Sequence, residues 1–172
     1  TTGATETWNG SSWTEANDLN TGRSDHFGSW GTSTSGIVAS GYTTTNVTSV
    51  ETWDGSSWTE VAELNTPRRY MGSTTSGGNT AVLAFGGYLG PPGYSLSVEL
   101  WNGSTWAEQT EISEGHYTGG SGGTSTSAII AGGQDSGPSS ANTETWNGSS
   151  WSEEADLNTG RVEMAGTGPN SE

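Results

Sequence analysis

The chain has no cysteine and no lysine. The first absence excludes a disulfide frame, a thiolate nucleophile and a Cys-ligated zinc site. The second leaves 4 arginines against 19 acidic side chains, a net charge of −15 and a pI near 4.1. A phosphate-binding footprint needs clustered basic residues, so nucleic acid is excluded as a partner, and an anionic membrane surface repels the chain. No apolar run approaches the length needed to span a bilayer, which argues against membrane insertion. No charged-then-apolar start resembles a signal peptide. Large aliphatic residues are scarce, and 28% of the chain is hydrophobic. That composition alone points toward disorder. Nine tryptophans contradict it, because a chain that cannot bury indoles has no use for them.

The tryptophans are ordered by repetition. The chain reads TETWNGSSWTEANDLNTGR from Thr5, VETWDGSSWTEVAELNTPR from Val50, VELWNGSTWAEQTEISEGH from Val98 and TETWNGSSWSEEADLNTGR from Thr143. The leading tryptophans Trp8, Trp53, Trp101 and Trp146 are spaced 45, 48 and 45 residues apart, and each is followed five residues later by Trp13, Trp58, Trp106 or Trp151. A period of this length signals a stacked or radial array whose units cannot cover their own apolar faces. All eight are therefore expected to pack between units, not to serve as sugar-stacking platforms. Trp30 alone lies outside the scheme.

Each unit reads as short strands. Alternating Val-Glu-Thr-Trp, then Asp54-Gly55-Ser56-Ser57, then Trp58-Thr-Glu-Val describe a hairpin. A four-residue loop sets the two tryptophans opposite one another, where an aromatic pair adds roughly 0.2–1 kcal/mol; a two-residue turn would set Glu51 opposite Trp58 instead. The first arrangement is preferred, since it gives both indoles one face to bury. Upstream lie Gly36-Ile-Val-Ala-Ser-Gly41, Ala81-Val-Leu-Ala-Phe-Gly-Gly87 and Ala128-Ile-Ile-Ala-Gly-Gly133, runs suited to a strand covered on both faces. A more polar opening segment, such as Arg69-Tyr-Met-Gly-Ser-Thr-Thr, makes four strands per unit.

Four-stranded units of this period resemble the kelch repeat of β-propellers. The resemblance rests on an opening arginine (Arg23, Arg68, Arg161), the double glycines Gly86-Gly87 and Gly132-Gly133, and an aromatic residue followed after a short turn by Trp. The first unit departs from it at Ser40-Gly41, and His116 replaces the third arginine. The implied fold is all-β, with propeller blades of four antiparallel strands forming part of a larger ring. Its divisions are a terminal hairpin over 1–22, blades over 23–66, 67–114 and 115–159, and the first strand of a further blade over 160–172. The ring is completed either by more units of a longer array, the preferred reading, or by a second copy of the chain in a homo-oligomer.

Several residue groups admit chemical readings. Glu6, Glu51, Glu99 and Glu144 recur once per unit, so they are expected to hold the scaffold by accepting hydrogen bonds from a neighbouring unit. The equivalent arginines are expected to point outward from separate blades. Acidic clusters around Glu153 and Glu108 lack a fixed calcium loop and read as solvated faces. His26 and His116 occupy different columns and make no metal pair. No cofactor is implied. Asn9, Asn102 and Asn147 open Asn-Gly-Ser, an acceptor pattern for glycosylation, but Asp54 at the same place favours a turn.

Function is left to the parts that break the repeat. The loops Tyr42-Thr-Thr-Thr-Asn46, Tyr88-Leu-Gly-Pro-Pro-Gly-Tyr94 and Gln134-Asp-Ser-Gly-Pro-Ser-Ser140 differ in length and content, and variable loops on a rigid frame are where binding resides. Tyr42, Tyr88, Tyr94 and Asp135 are the candidate ligand contacts. Trp30 either extends their surface or fills a gap. The WNGSSWTE hairpins in an acidic Ser/Thr/Gly-rich chain resemble kelch-like repeat proteins of marine bacteriophages. That resemblance implies a non-enzymatic module, extracellular or on a virion, that contacts a host surface glycan or a virion protein. The alternative is a polysaccharide hydrolase or lyase on the same scaffold, which needs two acids in asymmetric surroundings.

Overall fold

The computed structural model describes residues 2–26, 32–76, 79–117, 119–135, 137 and 139–166. They form an all-β arrangement of small antiparallel sheets. Strands β1 (Thr5–Trp8) and β2 (Trp13–Ala16) make a hairpin; β3 (Gly36–Ala39), β4 (Val50–Trp53) and β5 (Trp58–Glu60) make a three-stranded sheet. The next sheet takes β6 (Gly72–Ser73), β7 (Val82–Phe85), β10 (Val98–Trp101) and β11 (Trp106–Glu108) in that order, with a small ribbon of β8 (Tyr88–Gly90) and β9 (Gly93–Tyr94) between β7 and β10 in sequence. Strands β12 (Gly120–Thr124), β13 (Ser127–Ala131), β14 (Thr143–Trp146) and β15 (Trp151–Glu153) complete a second four-stranded sheet. The opening strand expected in the 23–66 unit falls partly on residues outside the described ones. Residues 160–166 form no strand, and the rest of the expected closing strand also lies outside them.

The hairpin register is the one the four-residue loop requires. Trp8 pairs with Trp13, Trp53 with Trp58, Trp101 with Trp106 and Trp146 with Trp151, and ring centroids lie 5.2–5.5 Å apart. The loop is closed by its first side chain. Asp54 accepts hydrogen bonds from the backbone N–H groups of Ser56 and Ser57 at 2.8 Å, and Asn9, Asn102 and Asn147 do the same at their own positions. This is the Asx turn that either residue type can make. These bonds hold the Asp54 carboxyl down at about 2.

Successive sheets bury their faces against each other. On β7, Val82 and Ala84 join Ile37, Ala39, Val50 and Trp101 in one cluster, while Leu83 and Phe85 join Ala128, Ile130 and Trp146 in the next. The strand is thus apolar on both sides because a sheet covers each side. The edge strands β6 and β12 of neighbouring sheets lie side by side, bridged by Ser73 N–H to Ser121 Oγ at 3.2 Å. Small residues are required there: a Cβ on Gly72 would meet the Phe85 ring at 2.4 Å.

The tryptophans do not share one level of burial. Trp53, Trp101 and Trp146 are buried, and their indole N–H groups donate to the carbonyls of Ser33, Asn79 and Ser125. Trp58, Trp106 and Trp151 are half-buried, and the first two reach back to the unit before them, at Thr5 Oγ1 and the Ala62 carbonyl. Trp8 and Trp13 are exposed, at 48% and 64%. The expectation of eight packed indoles therefore fails at the first hairpin.

Two of the three repeat-equivalent arginines depart from expectation in the opposite sense, whereas Arg161 is exposed. Arg23 and Arg68 point inward and are fully buried, paired with Glu51 and Glu99. Each glutamate also anchors the connection entering its unit: Glu51 accepts from the N–H groups of Asn20 and Thr21, Glu99 from Asn65, and Glu144 from Ser113 and Glu114. A buried carboxylate needs such compensation, and the segment joining two sheets supplies it. His116 takes the arginine's place beside Glu144, its Nε2 3.8 Å from Oε1.

Candidate functional site

Two columns of residues converge at one end of the sheets. The first follows the paired glycine position and contains Tyr42, Tyr88 and Gln134; the second follows the Arg/His column and contains Ser24, Arg69 and Tyr117. Backbone bridges join them as Ser24 to Tyr42, Arg69 to Tyr88 and Tyr117 to Gln134, each through two hydrogen bonds of 2.7–3.1 Å. The glycines make this approach possible. Gly87 sits at φ +105°, and a Cβ there would lie 2.9 Å from the Arg69 carbonyl oxygen and 2.9 Å from Met71 Cγ. Its N–H donates to the His116 carbonyl at 2.8 Å, tying this end of one unit to the next.

The scaffold repeats here but the side chains do not. All five tyrosines of the chain gather at this end. Tyr94 and Tyr117 stack at 5.5 Å with 16° between ring planes, and Tyr88 packs against both, at 5.8 and 5.5 Å. Tyr70 adds to the edge, 5.9 Å from Tyr117. The guanidinium carbon of Arg69 lies 4.4 Å from the Tyr42 centroid, 5.2 Å from Tyr88 and 5.5 Å from Tyr70, within the range of cation–π attraction. Every one of these six side chains is half-buried. Each thus keeps part of its surface for a partner.

The backbone beneath is strained at one column. Tyr70 has φ +55°, and its equivalents Asp25 and Glu163 have +53° and +55°. A bulky residue in the left-handed region costs on the order of 1–3 kcal/mol and persists where surrounding contacts enforce it. Here the Tyr70 N–H donates to the Asp25 carbonyl at 3.2 Å. Burial raises the Tyr70 hydroxyl above its ordinary pKa, and a hydrogen bond to the Asp25 side chain adds to the rise. Tyr117 is raised by burial and by the neighbouring tyrosines, and its hydroxyl donates to Gln134 Oε1 at 2.5 Å. Both therefore remain neutral donors through the physiological range.

Two clefts flank the cluster. One, of about 450 Å³, is lined by Tyr42, Thr45, Asn46, Arg69, Leu89 and Pro91 among others. The other, of about 400 Å³, is lined by Tyr94, Leu96, Ser113, Glu114, Gly115 and Asp135. Leu89 and Leu96, 42% and 37% exposed, present apolar surface within them. Asn46 fixes its cleft by donating from Nδ2 to the Tyr88 carbonyl at 3.0 Å. Asp135 accepts from the Gly137 N–H at 2.5 Å, and Glu114 accepts from the Asn142 side chain.

The structure thus brings together Tyr42, Tyr88 and Tyr94, with Asp135 in the second cleft beside Tyr94. Residues 88–94, expected as a loop, fold as the β8–β9 ribbon, which pairs Tyr88 with Tyr94 directly. Trp30 lies outside the described residues. Sequence reasoning missed Arg69, Tyr70 and Tyr117. The signal was present: Arg68-Arg69 doubles a residue that other units carry singly, and the second copy falls outside the repeated column. Among the described residues no group of three or more His, Asp or Glu side chains is placed to hold a metal ion.

No protein-family model matches the chain, and no curated protein matches it. Among solved structures its fold is similar to the one titled "Structure of YjhT", with a TM-score of 0.74 and 14% sequence identity. The match covers 91% of this chain and 62% of that chain, so this chain spans less than two thirds of its neighbour's length.

Proposed function

We propose that the chain is a non-enzymatic binding module of kelch-like propeller blades that engages a glycan through the tyrosine cluster, as part of an extracellular or virion-borne appendage. The convergence of all five tyrosines on one end, where the unit loops cease to repeat, carries this reading. Tyrosine offers a flat apolar ring with a hydroxyl at its rim and loses little conformational entropy on binding. Those properties suit a sugar, which presents an apolar face and a ring of hydroxyls. The propeller reading draws support from the face-to-face order of the sheets, the edge strands β6 and β12 side by side, and the glycine, arginine and tryptophan columns.

The hydrolase or lyase reading would rest on the cleft holding Glu114 and Asp135. It is disfavoured because both carboxylates already accept hydrogen bonds that fix local loops, and the buried Glu51, Glu99 and Glu144 are committed to the connections between units. Screening the chain on an array of neutral and acidic glycans tests the binding reading. A hit weakened at least tenfold by the double substitution Tyr88→Ala, Tyr94→Ala is the expected result. Binding unchanged by that substitution contradicts it, and release of new reducing ends or unsaturated products favours the enzyme instead.

A further inference from the structure

We propose that Arg69 is an anion-recognition residue, so that the glycan bound at this face carries a carboxylate or sulfate group, which meets the guanidinium while the sugar ring lies against Tyr42 and Tyr88. The proposal rests on the glycan-binding reading and specifies its ligand class.

The four arginines differ in what they are free to do. Arg23 and Arg68 are buried against Glu51 and Glu99. Arg161 is exposed and turns its Nε to the Thr159 carbonyl, close in its own loop. Arg69 has its backbone pinned on both sides by Tyr88, through N–H to carbonyl bonds of 3.1 and 2.7 Å, yet its buried Nε has no hydrogen-bond partner. No carboxylate forms an ion pair with it among the described residues. Its contacts are aromatic.

That difference matters because stacking and hydrogen bonding use separate parts of a guanidinium. Rings occupy the flat faces, while the N–H donors lie in the plane and form a fork matched to the oxygens of a carboxylate or a sulfate. Tyr42, Tyr88 and Tyr70 surround the Arg69 guanidinium at 4.4–5.5 Å and offer its N–H donors no carboxylate. The cleft it lines contains hydroxyl and amide groups from Thr44, Thr45 and Asn46 and no acidic residue. In a chain with 19 acidic side chains, a cleft with a cation and no carboxylate is a local exception to the overall field. Two acidic groups adjoin the cluster, Asp25 through the Tyr70 hydroxyl and Glu163 through its charge beside Tyr117, and neither is ion-paired with Arg69. The net charge of −15 opposes binding of long polyanions, so the ligand class is a short oligosaccharide with one of its anionic groups on Arg69.

The test compares three probes at fixed ionic strength by calorimetry: tetragalacturonate, its fully methyl-esterified form, and a carrageenan tetrasaccharide with one sulfate per disaccharide. The expected result is that at least one charged probe binds ten times or more tighter than the ester. Arg69→Gln then removes the preference, bringing that probe to within about twofold of the ester on the same variant, which still binds both. Preference between the two charged probes identifies carboxylate or sulfate as the source. Equal binding of ester and charged probes overturns the role of Arg69 and leaves glycan binding standing. Loss of the ester together with the charged probes in Arg69→Gln also overturns it, because the loss is then not charge-specific. Failure of all three probes to bind overturns the glycan reading and this proposal with it.

Discussion

Trp101 and Trp8 occupy the same column of the repeat, in hairpins of the same register and ring spacing, yet one is 1% exposed and the other 48%. Replacing each by alanine isolates what packing between sheets contributes. A buried Trp removes about 150–250 Å² from water, and at about 25 cal/mol per Å² this corresponds to roughly 4–6 kcal/mol as an upper estimate. Measured Trp→Ala losses in cores run about 3–5 kcal/mol, because part of the site relaxes. Trp101→Ala also strips the Asn79 carbonyl of its 2.8 Å indole donor, so the expected loss lies at the upper end of that range. Trp8 has half its surface in water already and no such bond among the described residues. Its removal costs about 2–3 kcal/mol as an upper estimate, scaled from the same coefficient. Equilibrium urea unfolding followed by hydrodynamic radius reads both without depending on the indoles. Equal losses from the two substitutions would refute the claim that cohesion comes from indoles wedged between successive sheets.

Three further outcomes follow from the same geometry. Arg68→Met leaves Glu99 buried with its Asn65 contact but no cation, and should lower unfolding free energy by about 3–5 kcal/mol, whereas Arg161→Met, at an exposed side chain, should change it by less than about 0.5 kcal/mol. Gly87→Ala forces a Cβ to within 2.9 Å of the Arg69 carbonyl at φ +105°; melting should fall and glycan affinity with it, since the bridge that sets Tyr88 beside Arg69 is displaced. Asp54→Asn should leave stability at pH 7 unchanged, because asparagine makes the same turn in the other three hairpins. The Asp54 carboxyl is held down at about 2 from 3.8, so its contribution is complete above the ordinary value and lost as pH falls toward 2. The variant's melting temperature should accordingly fall less steeply than wild type between those limits.

Much of the frame was legible in the chain. Tryptophans five residues apart across an Asn/Asp-Gly-Ser turn admitted one register that buries both on one face, and the apolar run ending in Gly86-Gly87 read as a strand covered on both sides. Burial itself was less legible, because it depends on which neighbour a unit meets. Trp8 and Trp146 stand in the same TETWNGSSW segment, yet the first is exposed and the second buried. The arginine column misled for a related reason. A charged residue reads as exposed until its partner is known, and the partner of Arg68 is Glu99, 31 positions away. The candidate site was half visible. Tyr42, Tyr88 and Tyr94 stood in loops that break the repeat, whereas Arg69, Tyr70 and Tyr117 stood in what read as polar opening strands. Only the backbone bridges between the two columns show that these segments share one end of the sheets.

In the proposed function, ligand meets the irregular tyrosine end and not the repeated tryptophan hairpins. Selective carbon-13 labelling of the tyrosine rings and nitrogen-15 labelling of the tryptophan indoles, followed by titration with the tightest-binding oligosaccharide, tests it in one sample. The expected result is movement of the Tyr42, Tyr88, Tyr94 and Tyr117 ring signals with the Trp8 and Trp13 indoles unmoved. Movement of those two exposed indoles with still tyrosine rings would contradict it.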